Sequence, residues 1–145
     1  MRRKELNKLF SDVDVHSVRK LEECPSLIEN LINEIAEKLH LIDDERYELQ
    51  VAVTEICYNG IKHGNRCCPD KEVLVSYLIL KDRIIFRVED QGEGFDTSKI
   101  PDPTREKNIL KPRGRGIFLA RCFCNELIFE DKGRRVFIVK KIKST

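Results

Sequence analysis

Two β-rich runs, residues 73–80 and 83–89, are separated only by Lys81-Asp82. So short a break cannot carry a crossover, and the two runs alternate in opposite sense, so they predict an antiparallel hairpin. A lone hairpin is not stable in water and needs further strands or helices on its apolar surface. The rest of the chain supplies them. Leu49, Ala52, Val53, Ile56, Cys57 and Gly60 recur at i, i+3, i+4, i+7, i+8 and i+11. That stripe predicts an amphipathic helix with Asp43-Asp44-Glu45 at its head, where the helix dipole favours acids. It runs to His63, and Gly64-Asn65 ends it. Leu27, Ile28, Leu31, Ile32, Ile35 and Leu39 predict another helix over 26–40, with Ser26 as its start signal after Cys24-Pro25.

The remaining segments are shorter. Residues 13–21 alternate loosely and read as a weak strand, 116–123 as a short helix, and 126–130 and 135–142 as strands turned at Asp131-Lys132-Gly133. Residues 1–12 show no period. Residues 92–114 show none either and carry Pro101, Pro103 and Pro112; a loop this long in a small domain is usually a lid or binding loop. The order strand, helix, helix, hairpin, loop, helix, hairpin predicts an α+β two-layer sandwich, a mostly antiparallel sheet with helices on one face. At 145 residues the chain suits a single domain, 1–145.

Composition excludes several classes. Twenty-seven Lys and Arg face 25 Asp and Glu, which gives no general pull toward nucleic acid or an anionic membrane. No apolar run nears the ~20 residues of a membrane span. Glu5, Asn7, Lys8, Ser11 and Asp12 interrupt what would be a signal peptide after the basic Met1–Lys4 start, so the expectation is a soluble cytoplasmic protein. The six cysteines contain no C-x-x-C, so zinc and a disulfide framework are both poor readings. Cys57 and Cys122 read as small core residues, Cys67 and Cys68 as loop thiols.

Three features stand outside the packing pattern. Glu55, Asn59 and His63 are one helical turn apart, a polar column on the border of the apolar stripe. An amide oxygen suits Mg²⁺, and a carboxylate one turn away can orient or deprotonate a nucleophile; such a column can also simply line a solvated face. Asp90-Gln91-Gly92-Glu93-Gly94 follows the second hairpin strand. Its glycines permit a sharp turn and close approach to a ligand, and its carboxylate could accept a hydrogen bond from a base's amine. Arg113-Gly114-Arg115-Gly116 precedes the next helix, where free backbone N–H groups meet anions.

In this order and spacing, the three features resemble the N, G1 and G2 boxes of the Bergerat-fold ATPases, and within them the stand-alone anti-sigma-factor serine/threonine kinases. The likeness runs over residues 53–64, 88–96, and 101–119, and spans about 15–142 in all. It implies a histidine-kinase-like ATPase fold binding ATP and Mg²⁺. Asn59 would hold Mg²⁺, Glu55 would be the catalytic base or position the substrate hydroxyl, and Asp90 would bind the adenine amino group. Gly92 and Gly94 would let the chain pass close to the nucleotide. Gly114, Arg115 and Gly116 would hold phosphates under a lid spanning about 96–113, with Lys111 and Arg113 as lid contacts. His63 would have a structural or lid-contact role. Members often carry Gly-Thr before the last strand, whereas here Gly133 is followed by Arg134-Arg135.

The resemblance implies a kinase and anti-sigma factor that phosphorylates a small anti-sigma-factor antagonist, with sigma factor and antagonist as partners and a homodimer as a further expectation. The alternative is an ATP-gated regulatory binding module without phosphoryl transfer. A two-component histidine kinase domain is disfavoured, since the chain leaves no room for a separate dimerisation helix pair.

Overall fold

The strand runs read from the sequence close into one five-stranded sheet of order β1-β2-β3-β5-β4, antiparallel throughout. The computed structural model describes residues 3–94 and 112–143, and the expected lid lies almost wholly outside them. The strands are β1 (His16–Val18), β2 (Val73–Ile79), β3 (Arg83–Glu89), β4 (Glu126–Glu130) and β5 (Arg135–Lys141). The helices are α1 (Arg3–Leu9), α2 (Cys24–Lys38), α3 (Asp43–Asn59) and α4 (Pro112–Phe123). The β2–β3 hairpin pairs Leu78 with Ile85 and Tyr77 with Phe86, so only a short turn separates the strands.

Sheet register explains the core. Ile84, Phe86 and Val88 of β3 share one face with Val136 and Ile138 of β5, and that face packs on α2, α3 and α4. Ile28, Leu31, Ile32 and Ile35 come from α2, Leu49, Ala52, Val53, Ile56 and Cys57 from α3, and Ile117 and Ala120 from α4. These are the residues of the predicted helical stripes. The alternate positions, Ile85, Phe137 and Val139, face the other way. There α1 covers them with Leu6, and Phe10 just beyond it stacks at 5.6 Å on Phe137. The expected helices on one face are α2, α3 and α4; the unassigned N-terminal residues add a short helix to the opposite face.

Element boundaries depart from the sequence reading in four places. β1 keeps only three residues of the run 13–21. Helix α2 begins at Cys24, so Ser26 lies inside its first turn rather than capping it. A 3₁₀ turn, Leu21–Glu23, leads into it, and the Glu23 carboxylate accepts hydrogen bonds from the N–H groups of Arg19 and Lys20 at 3.3 and 3.0 Å. Helix α3 stops at Asn59, and Gly60–Gly64 continues as a π-helical turn. Helix α4 starts at Pro112, four residues before the expected start at Gly116, as suits a residue that lacks an N–H and has helical φ.

Two carboxylates tie the helix layer to the sheet. Glu45, buried in the first turn of α3, accepts the Ile42 N–H at 3.1 Å and the Lys143 N–H at 2.7 Å. Glu34 of α2 accepts the Tyr77 hydroxyl of β2 at 2.9 Å. Burial and then that carboxylate push the Tyr77 phenol up to about 12. Among the described residues no helix is long and apolar enough to cross a membrane.

Candidate functional site

The C-terminal end of α3, the turn after β3 and the turn before β5 meet at one cleft. It is partly open to solvent, and its roughly 570 Å³ of unfilled space includes that open mouth. Ile56, Val88, Ile117, Phe129 and Val136 give it apolar walls, and Asn59, His63, Asp90, Glu93 and Arg66 bring polar groups.

The π-helical turn sets the first wall. Its wider winding is seen where Asn65 N–H reaches back to the Gly60 carbonyl at 2.7 Å. Glu55 and Asn59 stay in α-helical register, one turn apart, while His63 lies beyond the change of winding. The three are therefore not a simple column: Asn59 and His63 line the cleft, and Glu55 stands beside it. A Cβ built on Gly116 of α4 would sit 3.1 Å from Glu55 Oε2 and 3.3–3.4 Å from the Asn59 amide atoms. The missing side chain at Gly116 thus leaves the space into which both polar groups project.

The glycines of the second motif act through backbone contact. A Cβ on Gly92 would fall 2.0 Å from the Gly64 carbonyl oxygen, and one on Gly64 would fall 2.4 Å from the Asp90 carboxylate. Asp90 is held at the end of β3 by its own N–H to the Arg134 carbonyl, 2.8 Å, and its Oδ1 accepts the Gly92 N–H at 2.8 Å. Gly94 has φ +83°, which favours glycine, and lies against Lys132.

Asn65, read from sequence only as a helix stop, is a supporting residue that was missed. It is 3% exposed; its Oδ1 accepts the Gln91 N–H at 2.7 Å, and its Nδ2 donates to the Glu72 carbonyl at 3.0 Å. Its place directly after the glycine that abuts Asp90 is the only sequence signal, and the partners lie seven and 26 residues away.

The Gly-Arg-Gly segment is corrected in kind. It lies within α4, so the free N–H groups of the helix start belong to residues 113–115 rather than to a loop before Gly116. Arg115 is exposed. Lys111 and most of the lid, 96–113, lie outside the described residues, as does the side chain of Arg113.

Arg134 and Arg135 do not line the cleft, whereas Gly133 does. Arg134 turns back on its own loop: it donates to the Gly92 carbonyl at 3.4 Å, to the Asp131 carbonyl at 3.2 Å and to Asp131 Oδ1 at 2.7 Å. Arg135 sits between Glu89 and Glu130, at 3.5 and 2.9 Å, on the α1 side of the sheet. Glu130 in turn accepts from Asn7 of α1 at 3.1 Å.

The cysteines divide differently from expectation. Cys57 is buried as predicted, but its companion is Cys24 rather than Cys122, which is exposed at the end of α4. The hydrogen bond with Cys24, and burial, raise the Cys57 thiol well above its ordinary range, so it stays protonated. Cys67 is exposed and Cys68 half-buried, as loop thiols are.

Asn59 Nδ2 is buried without a hydrogen-bond partner among the described residues. A buried donor left unmatched costs about 1–3 kcal/mol, so a polar ligand in the cleft would offset a standing penalty. Among the described residues, no group of three or more His, Cys, Asp or Glu could hold a metal ion. A cation here would therefore need ligand oxygens besides the Asn59 amide, the usual way Mg²⁺ is held with phosphates.

Comparison with known proteins gives a consistent result. A model of the histidine kinase-like ATPase domain matches residues 20–140. The serine-protein kinase RsbW of Listeria monocytogenes serovar 1/2a is 31% identical over 102 residues, 66% of this chain and 65% of the relative. RsbW of Bacillus licheniformis is 27% identical over 125 residues, 81% of this chain and 78% of the relative. The anti-sigma F factor of Clostridium perfringens is 29% identical over 106 residues, 70% and 76% of the two chains. The match thus spans just under two thirds of the Listeria relatives, 65% of their length.

Proposed function

The chain belongs to the histidine kinase-like ATPase domain family, and we propose that it is an ATP-dependent serine/threonine protein kinase and anti-sigma factor. Its substrate would be a small anti-sigma-factor antagonist, and its second partner a sigma factor. The observation that carries this reading is the meeting of Glu55, Asn59 and Gly116, where a carboxylate and an amide N–H with no partner among the described residues face the early turns of α4 across a gap the width of a missing Cβ.

The residues divide the work. Asp90, fixed by the Arg134 carbonyl and the Gly92 N–H, accepts the adenine amino group. The apolar walls, Ile56, Val88, Ile117 and Val136, take the ring. Gly92 and Gly94 keep the turn close, and the α4 start, with Gly114, Arg115 and Gly116, faces the phosphates. Lys111 and Arg113 add cationic contacts from the lid side. Asn59 would hold Mg²⁺, whose charge would offset that of the phosphates. Glu55 takes the proton from the serine or threonine hydroxyl as its oxygen attacks the γ-phosphorus and ADP leaves. The added phosphate brings about −1.5 to −2 charge to the antagonist, enough to break its complex and free the kinase for its sigma factor. The names of the RsbW and anti-sigma F relatives support this assignment of partners.

The test is calorimetric binding of ATP with and without Mg²⁺, followed by phosphoryl transfer to the antagonist protein. Asn59→Ala is expected to lose Mg²⁺-dependent ATP binding. Glu55→Gln is expected to keep ATP binding and lose transfer; unchanged transfer would remove Glu55 from the chemistry. ATP binding by wild type with no phosphate on any antagonist would leave a nucleotide-gated binding module instead.

A further inference from the structure

Arg66 lines the cleft yet belongs to none of the three motifs. It is the only Lys or Arg among the described lining residues, and it makes no hydrogen bond or ion pair with the described residues. Its backbone is also unusual. Arg66 and Cys67 have φ of 53° and 57°, two consecutive non-glycine residues in the left-handed region that L-residues rarely adopt. The segment is pinned in that shape: Cys67 N–H reaches the Ile61 carbonyl at 2.7 Å, and Cys68 N–H the Asn65 carbonyl at 3.0 Å. Strained backbone that its surroundings over-determine is a common mark of a working site.

The position decides which part of a ligand Arg66 meets. Gly64 abuts the Asp90 carboxylate, and Asn65 is stitched to Gln91. Two peptide units hold the Arg66 Cα within about 7.6 Å of that of Gly64. Arg66 is therefore anchored beside Asp90, whereas Gly116 of α4 packs beside Glu55 and Asn59. Glu93, on the same cleft, adds negative charge and makes the rim a poor place for phosphate.

We propose that Arg66 is a nucleobase contact, its planar guanidinium closing over the face of the purine ring bound at Asp90. Guanidinium groups stack on flat π systems, and they are weakly enough hydrated to do so at a half-open rim. This inference rests on reading the cleft as the nucleotide site.

The experiment is calorimetric titration of the full chain with ATP, ADP and adenosine, on wild type, Arg66→Gly and Arg66→Gln. Arg66→Gly removes the side chain and relieves the left-handed backbone, so it should melt at or above the wild-type temperature. Arg66→Gln keeps a polar side chain without the cation. Both variants should weaken all three ligands by a similar factor, about 3- to 30-fold. A loss confined to ATP and ADP would overturn the proposal and make Arg66 a phosphate contact. Unchanged affinities in variants of a protein that binds all three would overturn it while leaving the nucleotide site intact. Wild type binding none of the three would overturn the nucleotide reading itself, and the role of Arg66 with it.

Discussion

Gly64→Ala should damage the protein through one nameable contact. The new Cβ would lie 2.4 Å from Asp90 Cγ and Oδ2 and 2.7 Å from Oδ1, well inside any real contact distance. The Asp90 side chain must swing away, which breaks its bond to the Gly92 N–H. Losing a hydrogen bond to a charged group costs about 1.5–3 kcal/mol, and overpacking about 1–3 more. Alanine returns about 1 kcal/mol through its better helical propensity. The net loss is about 1.5–5 kcal/mol, or about 5–20 °C in melting temperature for a chain of this size. Nucleotide affinity should fall about 10- to 150-fold, the worth of one charge-assisted bond to the base. The assay is a double-mutant cycle with Asp90→Ala, read by thermal melting. Without the carboxylate, alanine at position 64 meets little, so its penalty should shrink below about 1 kcal/mol, a coupling of about 2 kcal/mol or more. Gly92→Ala is the control: its clash is with the Gly64 carbonyl at 2.0 Å, which no change at position 90 relieves. Additive losses for Gly64→Ala and Asp90→Ala would refute the contact argument.

Gly116→Ala should separate stability from activity. Helix α4 gains about 1 kcal/mol from the substitution, while the Cβ crowds Glu55 and Asn59; a raised melting temperature with at least about tenfold slower phosphoryl transfer is expected. Phe10→Ala empties a nearly buried site against Phe137. It should cost about 3–4 kcal/mol by denaturant unfolding, and a negligible loss would mean that α1 is not docked in solution. Tyr77, held neutral by burial and Glu34, should titrate near pH 12 by ultraviolet absorbance, a component that Tyr77→Phe removes. Its folded pKa lies above the unfolded value of about 10, so its contribution to stability is full below pH 10 and is lost as pH rises toward 12.

What was legible in the sequence follows from the range of the interactions involved. The hairpin, α2 and α3 were readable because their signals are local: a two-residue break, and apolar residues at helical spacing. Helix α1 was not, since seven residues bury only Leu6 and cannot show a period. Its signal lay in the strands it covers, in the unbroken apolar runs Ile84-Ile85-Phe86 and Val136-Phe137-Ile138-Val139, which imply cover on both faces of the sheet. The glycines were recognised as allowing close approach, but not what they approach. Gly92 meets Gly64 across 28 residues, and Gly116 meets Glu55 across 61, contacts that only the fold can pair. The same reasoning explains Arg134-Arg135. Where the resembled family often carries Gly-Thr before the last strand, Gly133 is here followed by these two cations, yet β5 register sends Arg135 to the α1 face, between Glu89 and Glu130. Arg134 folds back onto Asp131 and Gly92. Both arginines therefore brace the turn that carries Asp90 from outside the cleft, and among the described residues the Lys or Arg that lines it, Arg66, comes from a strained loop with no motif to announce it.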